Sequence, residues 1–173
     1  MSLQQSVEFQ TGFGVVGEFY DNSPTIVAPW LINSPNAANN VFGRAFTATS
    51  GTVDNTAQAG RSAFGLFAGI LIAPKDHALY GVPGNPLAPS LTLPNNVTAQ
   101  LATMGHIIVT LANPAKIGDR IIYDNTTGVL DAIDPATPIP VGSSDAYAFV
   151  INYAINSAPS LAVIQLNYVP TYA

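Results

Sequence analysis

The sequence predicts an all-β fold: a single small β-barrel or β-sandwich domain over residues 1–173, with an extended Pro-rich arm or loop at residues 73–96. Three observations carry that expectation. Short apolar or alternating runs recur between turn-forming residues along the whole chain. The 14 Gly, 14 Pro, 14 Asn and 14 Thr make an alphabet poor in strong helix formers. Five prolines (Pro74, Pro83, Pro86, Pro89 and Pro94) fall between Pro74 and Asn96, and they forbid both a helix and a central strand there.

In chain order, the first strand expected is Phe13 to Tyr20, closed by Asp21-Asn22-Ser23-Pro24. Thr25 to Ile32 follows, read as an edge strand because Pro29 has no amide hydrogen for a second partner. Asn40 to Thr49 alternates, and the set containing Phe42 and Phe46 should face the core, with Arg44 at a strand end or in an interface. Ser50 to Ala57 reads as a polar loop. Ala63 to Ala73 reads as a buried strand pair or one bent strand, with Gly65 and Gly69 as bulge candidates. Val97 to Leu111 is the longest strand signal, with Leu101, Thr103, Ile107, Val109 and Leu111 on one face. A hairpin is expected from Arg120–Asp124 through Asn125-Thr126-Thr127-Gly128 to Val129–Ile133, Gly128 supplying the positive φ such a loop needs. After the Pro-rich connection Asp134 to Ser144 come two last strands, Asp145 to Ile155 and Leu161 to Val169, joined by the turn Asn156-Ser157-Ala158-Pro159.

Composition narrows function before any motif does. Only 9% of residues are charged, against about 25% in ordinary domains. So sparse a set of ionic groups suits a protein packed permanently against neighbours, although a secreted β-sandwich with a Thr/Asn/Ser surface would share it. A net charge of −5, with five scattered basic residues (Arg44, Arg61, Lys75, Lys116, Arg120), argues against nucleic-acid binding. There is no cysteine for a disulfide framework. Met1 to Gln10 has no signal-peptide pattern, and the longest apolar stretch, Ala63 to Ala73, is too short for a membrane span; a protein made in a cytoplasm, without membrane contact, is the expectation.

The motifs that might carry chemistry dissolve on inspection. Gly12-Phe13-Gly14-Val15-Val16-Gly17 matches the dinucleotide-binding pattern, but Glu18 to Pro24 offers no helix whose N-terminus could hold a phosphate. His77 and His106 stand far apart without a second ligand at metal spacing, and Asp131 and Asp134 lack an oxygen-rich calcium loop. Ser62 lacks the second glycine of a nucleophile elbow, and the only glutamates are Glu8 and Glu18. The expectation is therefore not an enzyme: no catalytic residue, no cofactor and no metal.

Four stretches in order carry a family likeness: Phe13-Gly14-Val15-Val16-Gly17-Glu18; Ala38 to Thr47; Phe67-Ala68-Gly69-Ile70-Leu71; and Met104-Gly105 through Ile117-Gly118-Asp119-Arg120 to Tyr123-Asp124-Asn125-Thr126-Thr127-Gly128. Together they resemble the structural cement (capsid decoration) proteins of tailed bacteriophages. The resemblance implies a virion protein on the outer capsid surface that binds the major capsid protein lattice and stiffens it, with no catalytic residues. An acidic chain would sit outside the shell, away from packaged genome. Scarce charge predicts self-association, a homotrimer in preference to a dimer. The arm's Leu79, Tyr80, Val82, Leu87, Leu91 and Leu93 are the expected interface residues. The competing class is a phage tail-associated or secreted carbohydrate-binding β-sandwich using Trp30 and surface tyrosines as a sugar platform.

Overall fold

The structure, a computed structural model, describes residues 14–49, 55–63, 65–73, 92–153 and 160–167. Among them there is no α-helix; nine strands are joined by turns and one short 3₁₀ turn at Ala37–Asn39. The strands are β1 (Ile26–Ile32), β2 (Ala45–Ala48), β3 (Thr56–Ala59), β4 (Phe67–Leu71), β5 (Val97–Leu111), β6 (Arg120–Asp124), β7 (Leu130–Ile133), β8 (Ser143–Tyr153) and β9 (Ser160–Leu166).

Their pairing closes twice. β5, β7, β6, β8 and β9 form a five-strand barrel, closed by the antiparallel β5–β9 ladder from Gly105–Leu166 to Leu111–Ser160. β1, β3, β2, β4 and β5 form a second circuit, closed by β1 running antiparallel to β5 from Ile26–Met104 to Ile32–Val97. The strand common to both is β5, whose 15 residues reach roughly 50 Å when extended. Its first half belongs to one circuit and its second half to the other.

Two hydrophobic cores follow from this. Ile107, Val109, Leu111, Ile121, Tyr123, Leu130, Val150 and Ile164 fill the barrel. Ile32, Phe42, Phe46, Ala57, Leu71 and Leu101 fill the second circuit. β2, β4 and the start of β5 are the wall between them: Ala45, Ile70 and Ala102 join the first core, while their neighbours Phe46, Leu71 and Leu101 join the second. Strands buried on both faces need no polar alternation, which is why Phe67–Leu71 is unbroken in apolar character and all four residues of β2 are buried. Thr47 is tolerated in this wall because its hydroxyl donates to Gly60 O (2.8 Å) and accepts from Ser62 N (2.7 Å).

The longest strand matches its expected bounds, and Phe42 and Phe46 are core residues as expected. The hairpin forms, with Gly128 at φ 72°, although β7 starts at Leu130. Several expectations are corrected. The described part of Phe13 to Tyr20 is not a strand: Gly14 (φ 105°) and Gly17 (φ 89°) turn the backbone, leaving one bridge, Phe19 to Ile107. The polar loop expected over Ser50 to Ala57 ends in β3, which the period missed because Thr56-Ala57-Gln58-Ala59 has no large apolar residue. β1 is an edge only in part: Pro29 pairs with Gln100 on one side, while Leu31 and Ile32 also pair with β3. Among the described residues of Ala63 to Ala73 only Phe67–Leu71 is strand. Its register against β2 slips beside Gly69, whereas Gly65 lies in the preceding loop. The turn at Asn156–Pro159 lies outside the described residues.

Candidate interaction surface

The Pro-rich segment leaves and re-enters the fold at well-anchored points. On the outgoing side Ala73 N donates to Gly17 O (2.9 Å). On the return Thr92 bridges Val41, and Leu93 N donates to Asn40 O (2.8 Å). Asn40, fully buried, donates from Nδ2 to Leu93 O (3.0 Å) and Asn95 Oδ1 (2.8 Å). Asn95 in turn accepts from Ser34 N (3.0 Å) and donates to Ser34 O (2.8 Å). Both bonds from the buried Asn40 Nδ2 hold one geometry, so this network clamps the returning chain to the loop after β1. Of the expected interface residues, Leu93 packs against the protein's own second core. Leu79, Tyr80, Val82, Leu87 and Leu91 lie outside the described residues.

Away from those roots, beyond the Phe67 end of β4, is an open cleft of about 470 Å³ bordered by Arg61, Phe67, Tyr123, Val141, Asp145 and Tyr147. The Phe67 ring lies 5.9 Å from Tyr123 and edge-on to Tyr147 at 6.1 Å, spacings at which aromatic rings attract. Tyr147 is 43% exposed and holds φ 53°. That value follows from a register slip: Ile121 pairs with Ala148 but Ile122 with Asp145, so Ala146 and Tyr147 bulge out of β8. A carboxylate bond from Tyr147 N to Asp145 Oδ1 (2.7 Å) holds the bulge. Left-handed backbone at an aromatic residue is strained by about 1–3 kcal/mol, and such strain concentrates at functional positions.

The rest of the surface is sparsely charged and dotted with exposed apolar side chains, among them Ile117, Ile139, Val141 and Phe149. Phe149 stands opposite Arg120 in the β6–β8 ladder. Arg120 Nη2 donates to Thr137 O (2.8 Å), which pins the 134–142 connection to the barrel. Arg44, half-buried and shifted down by desolvation, ties Asn39 Oδ1 (3.0 Å) to Thr127 O (3.3 Å), one residue before β2 as a strand-end reading expects.

The residues weighed for chemistry have structural employment. Ser62 Oγ donates to Ala48 O and accepts from Gly65 N. Asp134 accepts from Ala136 N, as a turn residue does, while Asp131 lies inside β7, paired with Ile122, and accepts from Asn113 Nδ2. Among the described residues no group of three or more His, Cys, Asp or Glu side chains could hold a metal ion, and no helix is long and apolar enough to cross a membrane. Trp30, expected as a sugar platform in the competing reading, instead packs against the second core with its indole Nε1 buried.

His106 Nδ1 lies 2.7 Å from Asp21 Oδ2, an exposed pair that fastens the N-terminal segment to β5 beside the Tyr20 N to His106 O bond (2.8 Å). The Ser23 side chain, then His106, then the Ser23 amide (3.0 Å) lower the Asp21 carboxyl to about 2. The Ser23 hydroxyl sits near the charge without a bond of ordinary geometry, so the amide is its better-formed partner. Because the folded-state value lies below the ordinary 3.8, the fastening stabilises the fold above that pH and is lost as pH falls through about 2. An NMR titration of the Asp21 carboxyl carbon should have its midpoint near 2. Asp21→Asn should speed exchange of the Tyr20 amide at neutral pH. A midpoint at the ordinary value, with unchanged exchange, would show that the pair fastens nothing.

The sequence matches the family described as structural cement protein (E217 gp24/Pam3 gp6) over residues 3–167. Comparison with curated protein sequences found no match. Among solved structures, a chain from "The capsid of Myoviridae Phage XM1" superposes with a TM-score of 0.61 at 17% identity, covering 96% of this chain and 98% of that one. At that identity the likeness is one of fold.

Proposed function

The chain belongs to the structural cement protein family, and from that premise we propose that it coats the outer face of a phage capsid, bridging subunits of the major capsid protein and stiffening the shell. It is a structural protein of the virion. The observation that carries this reading is the family match across nearly the whole chain, residues 3–167. The physical character agrees. A clamp needs broad, mostly neutral contact surfaces, and a chain that is 9% charged with a net charge of −5 offers them while discouraging contact with packaged nucleic acid.

In its finer form the proposal has the protein act as a homotrimer, since capsid lattices present local three-fold sites. Its Pro-rich arm, through Leu79, Tyr80, Val82, Leu87 and Leu91, lies across a neighbouring subunit. The carbohydrate-binding reading loses its platform with Trp30 packed on the core. Purified protein added to undecorated capsids should bind in a fixed number of copies per shell and raise the temperature at which genome is released. Absence of binding at micromolar concentration would overturn the reading. Sedimentation of free protein and copy counting on capsids test the trimer.

A further inference from the structure

We propose that the cavity beside Arg44 receives a carboxylate on an apolar stem, an acidic side chain next to an apolar one, presented by the capsid subunit that this protein clamps. The inference rests on the capsid reading above and names a point of attachment for it. The cavity holds about 320 Å³ and is lined mostly by apolar groups, among them Val16, Val41, Phe42 and Val129, with Arg44 the one charged residue on its wall. That is near the lower end of cavities that hold small ligands, roughly 300 Å³, and suits a side chain or two. Its walls are fixed before anything binds: Gly43 N donates to Leu71 O (2.8 Å), Ala45 N to Gly128 O (2.9 Å) and Ala112 N to Leu130 O (2.9 Å). A site already in its bound shape loses little binding energy to ordering.

Arg44 selects the charge of the occupant. Its Nη1 is anchored to two neutral acceptors, Asn39 Oδ1 (3.0 Å) and Thr127 O (3.3 Å). Its Nε and Nη2 meet no acceptor among the described residues, and that edge of a guanidinium takes a carboxylate through two parallel bonds. The ion pairs among the described residues are His106–Asp21 and Arg120–Asp145, so Arg44 has no carboxylate partner among them. A half-buried cation without a counter-ion has given up hydration for neutral bonds alone. An incoming carboxylate therefore gains more there than at a fully hydrated arginine. An arginine beside an apolar hollow is also the make-up of the anchor points that dominate protein interfaces.

Hexanoate, with hexanol as the same stem without the charge, probes the cavity of the whole protein by NMR. Hexanoate should shift the Arg44 Nε–H and the Val41 and Val129 methyl signals, binding roughly tenfold or more tighter than hexanol. Arg44→Lys should lose that preference, because an ammonium has no fork. Ala112→Trp fills the cavity from an exposed position on its wall and leaves the Arg44 anchors in place. It should abolish the hexanoate shifts and weaken capsid attachment roughly tenfold or more, with the melting point unchanged. Arg44→Gln should weaken attachment likewise, whereas Arg61→Gln, which removes an exposed arginine elsewhere, should not. Equal shifts with hexanol, or none with hexanoate, overturn the proposal. So does a loss confined to self-association in sedimentation, which would make a second copy the occupant. Capsid binding by the unaltered chain is measured alongside. If that binding is present and Ala112→Trp attaches normally, the occupant alone fails; if it is absent while hexanoate binds as expected, the capsid reading fails and takes the occupant with it.

Discussion

Deletion of Ala78 to Pro89 is expected to leave the described fold intact and to weaken attachment to capsids by on the order of a hundredfold or more. The fold should survive because both roots are held by bonds that do not involve the deleted residues: Ala73 to Gly17, Leu93 to Asn40, and the Asn40–Asn95–Ser34 network. The residues left between Ala73 and Thr92 can reach about 20 Å at about 3.3 Å each, ample for roots on adjoining segments. Attachment should suffer because each apolar side chain the arm buries on a partner is worth roughly 1.5–3 kcal/mol. Prolines restrict the free segment, so less chain entropy is lost on docking. A surplus of only about 2.8 kcal/mol is already a hundredfold in affinity. Circular dichroism and thermal melting read the fold, and copies per capsid read the attachment. A variant that unfolds would place the arm in the protein's own core; one that binds normally would show that the clamp lies elsewhere.

Gly128→Ala is expected to be the most damaging single methyl addition, costing on the order of 3 kcal/mol or more. Gly128 sits where the two circuits are stitched together: Ala45 N donates to Gly128 O (2.9 Å), Gly60 N to Ala45 O (3.0 Å) and Arg61 N to Asn125 O (2.8 Å). A Cβ there would stand 2.4 Å from Ala45 O and 2.8 Å from Gly60 N, both backbone atoms that cannot step aside, on a residue whose φ of 72° already disfavours a side chain. Gly118→Ala is the matched control, since Gly118 also has a positive φ (93°) but nothing within 4 Å of its added carbon; it should cost only about 1–2 kcal/mol. At roughly 2–4 °C per kcal/mol for a chain of this size, the two melting points should separate by several degrees. Equal losses would mean that the junction has slack and the circuits are not rigidly joined.

Much of this protein was legible from local signals. Val97–Leu111, the hairpin around Gly128 and the turn role of Asp134 depend on residues within a few positions of one another, where side-chain period and backbone preference act directly. The family likeness was legible for the same reason, because it lay in ordered strand and turn vocabulary, and the match over residues 3–167 bears it out. Tertiary closure decided the rest. Thr56–Ala59 carries no strand signal of its own; Ala57 and Ala59 are buried only because β3 is held between β1 and β2, against the second core. Ser34, Asn40 and Asn95 read as loop polars until pairing across some 60 residues makes them one buried network. Tyr147 takes its left-handed turn from a register slip between β6 and β8, which no neighbour in sequence announces. The all-β class and the turn positions were set by residues acting on their own neighbours. Which core each face meets, and where the backbone is strained, was set by β5 closing two circuits at once, a non-local pairing whose energy exists only when the whole chain is in place.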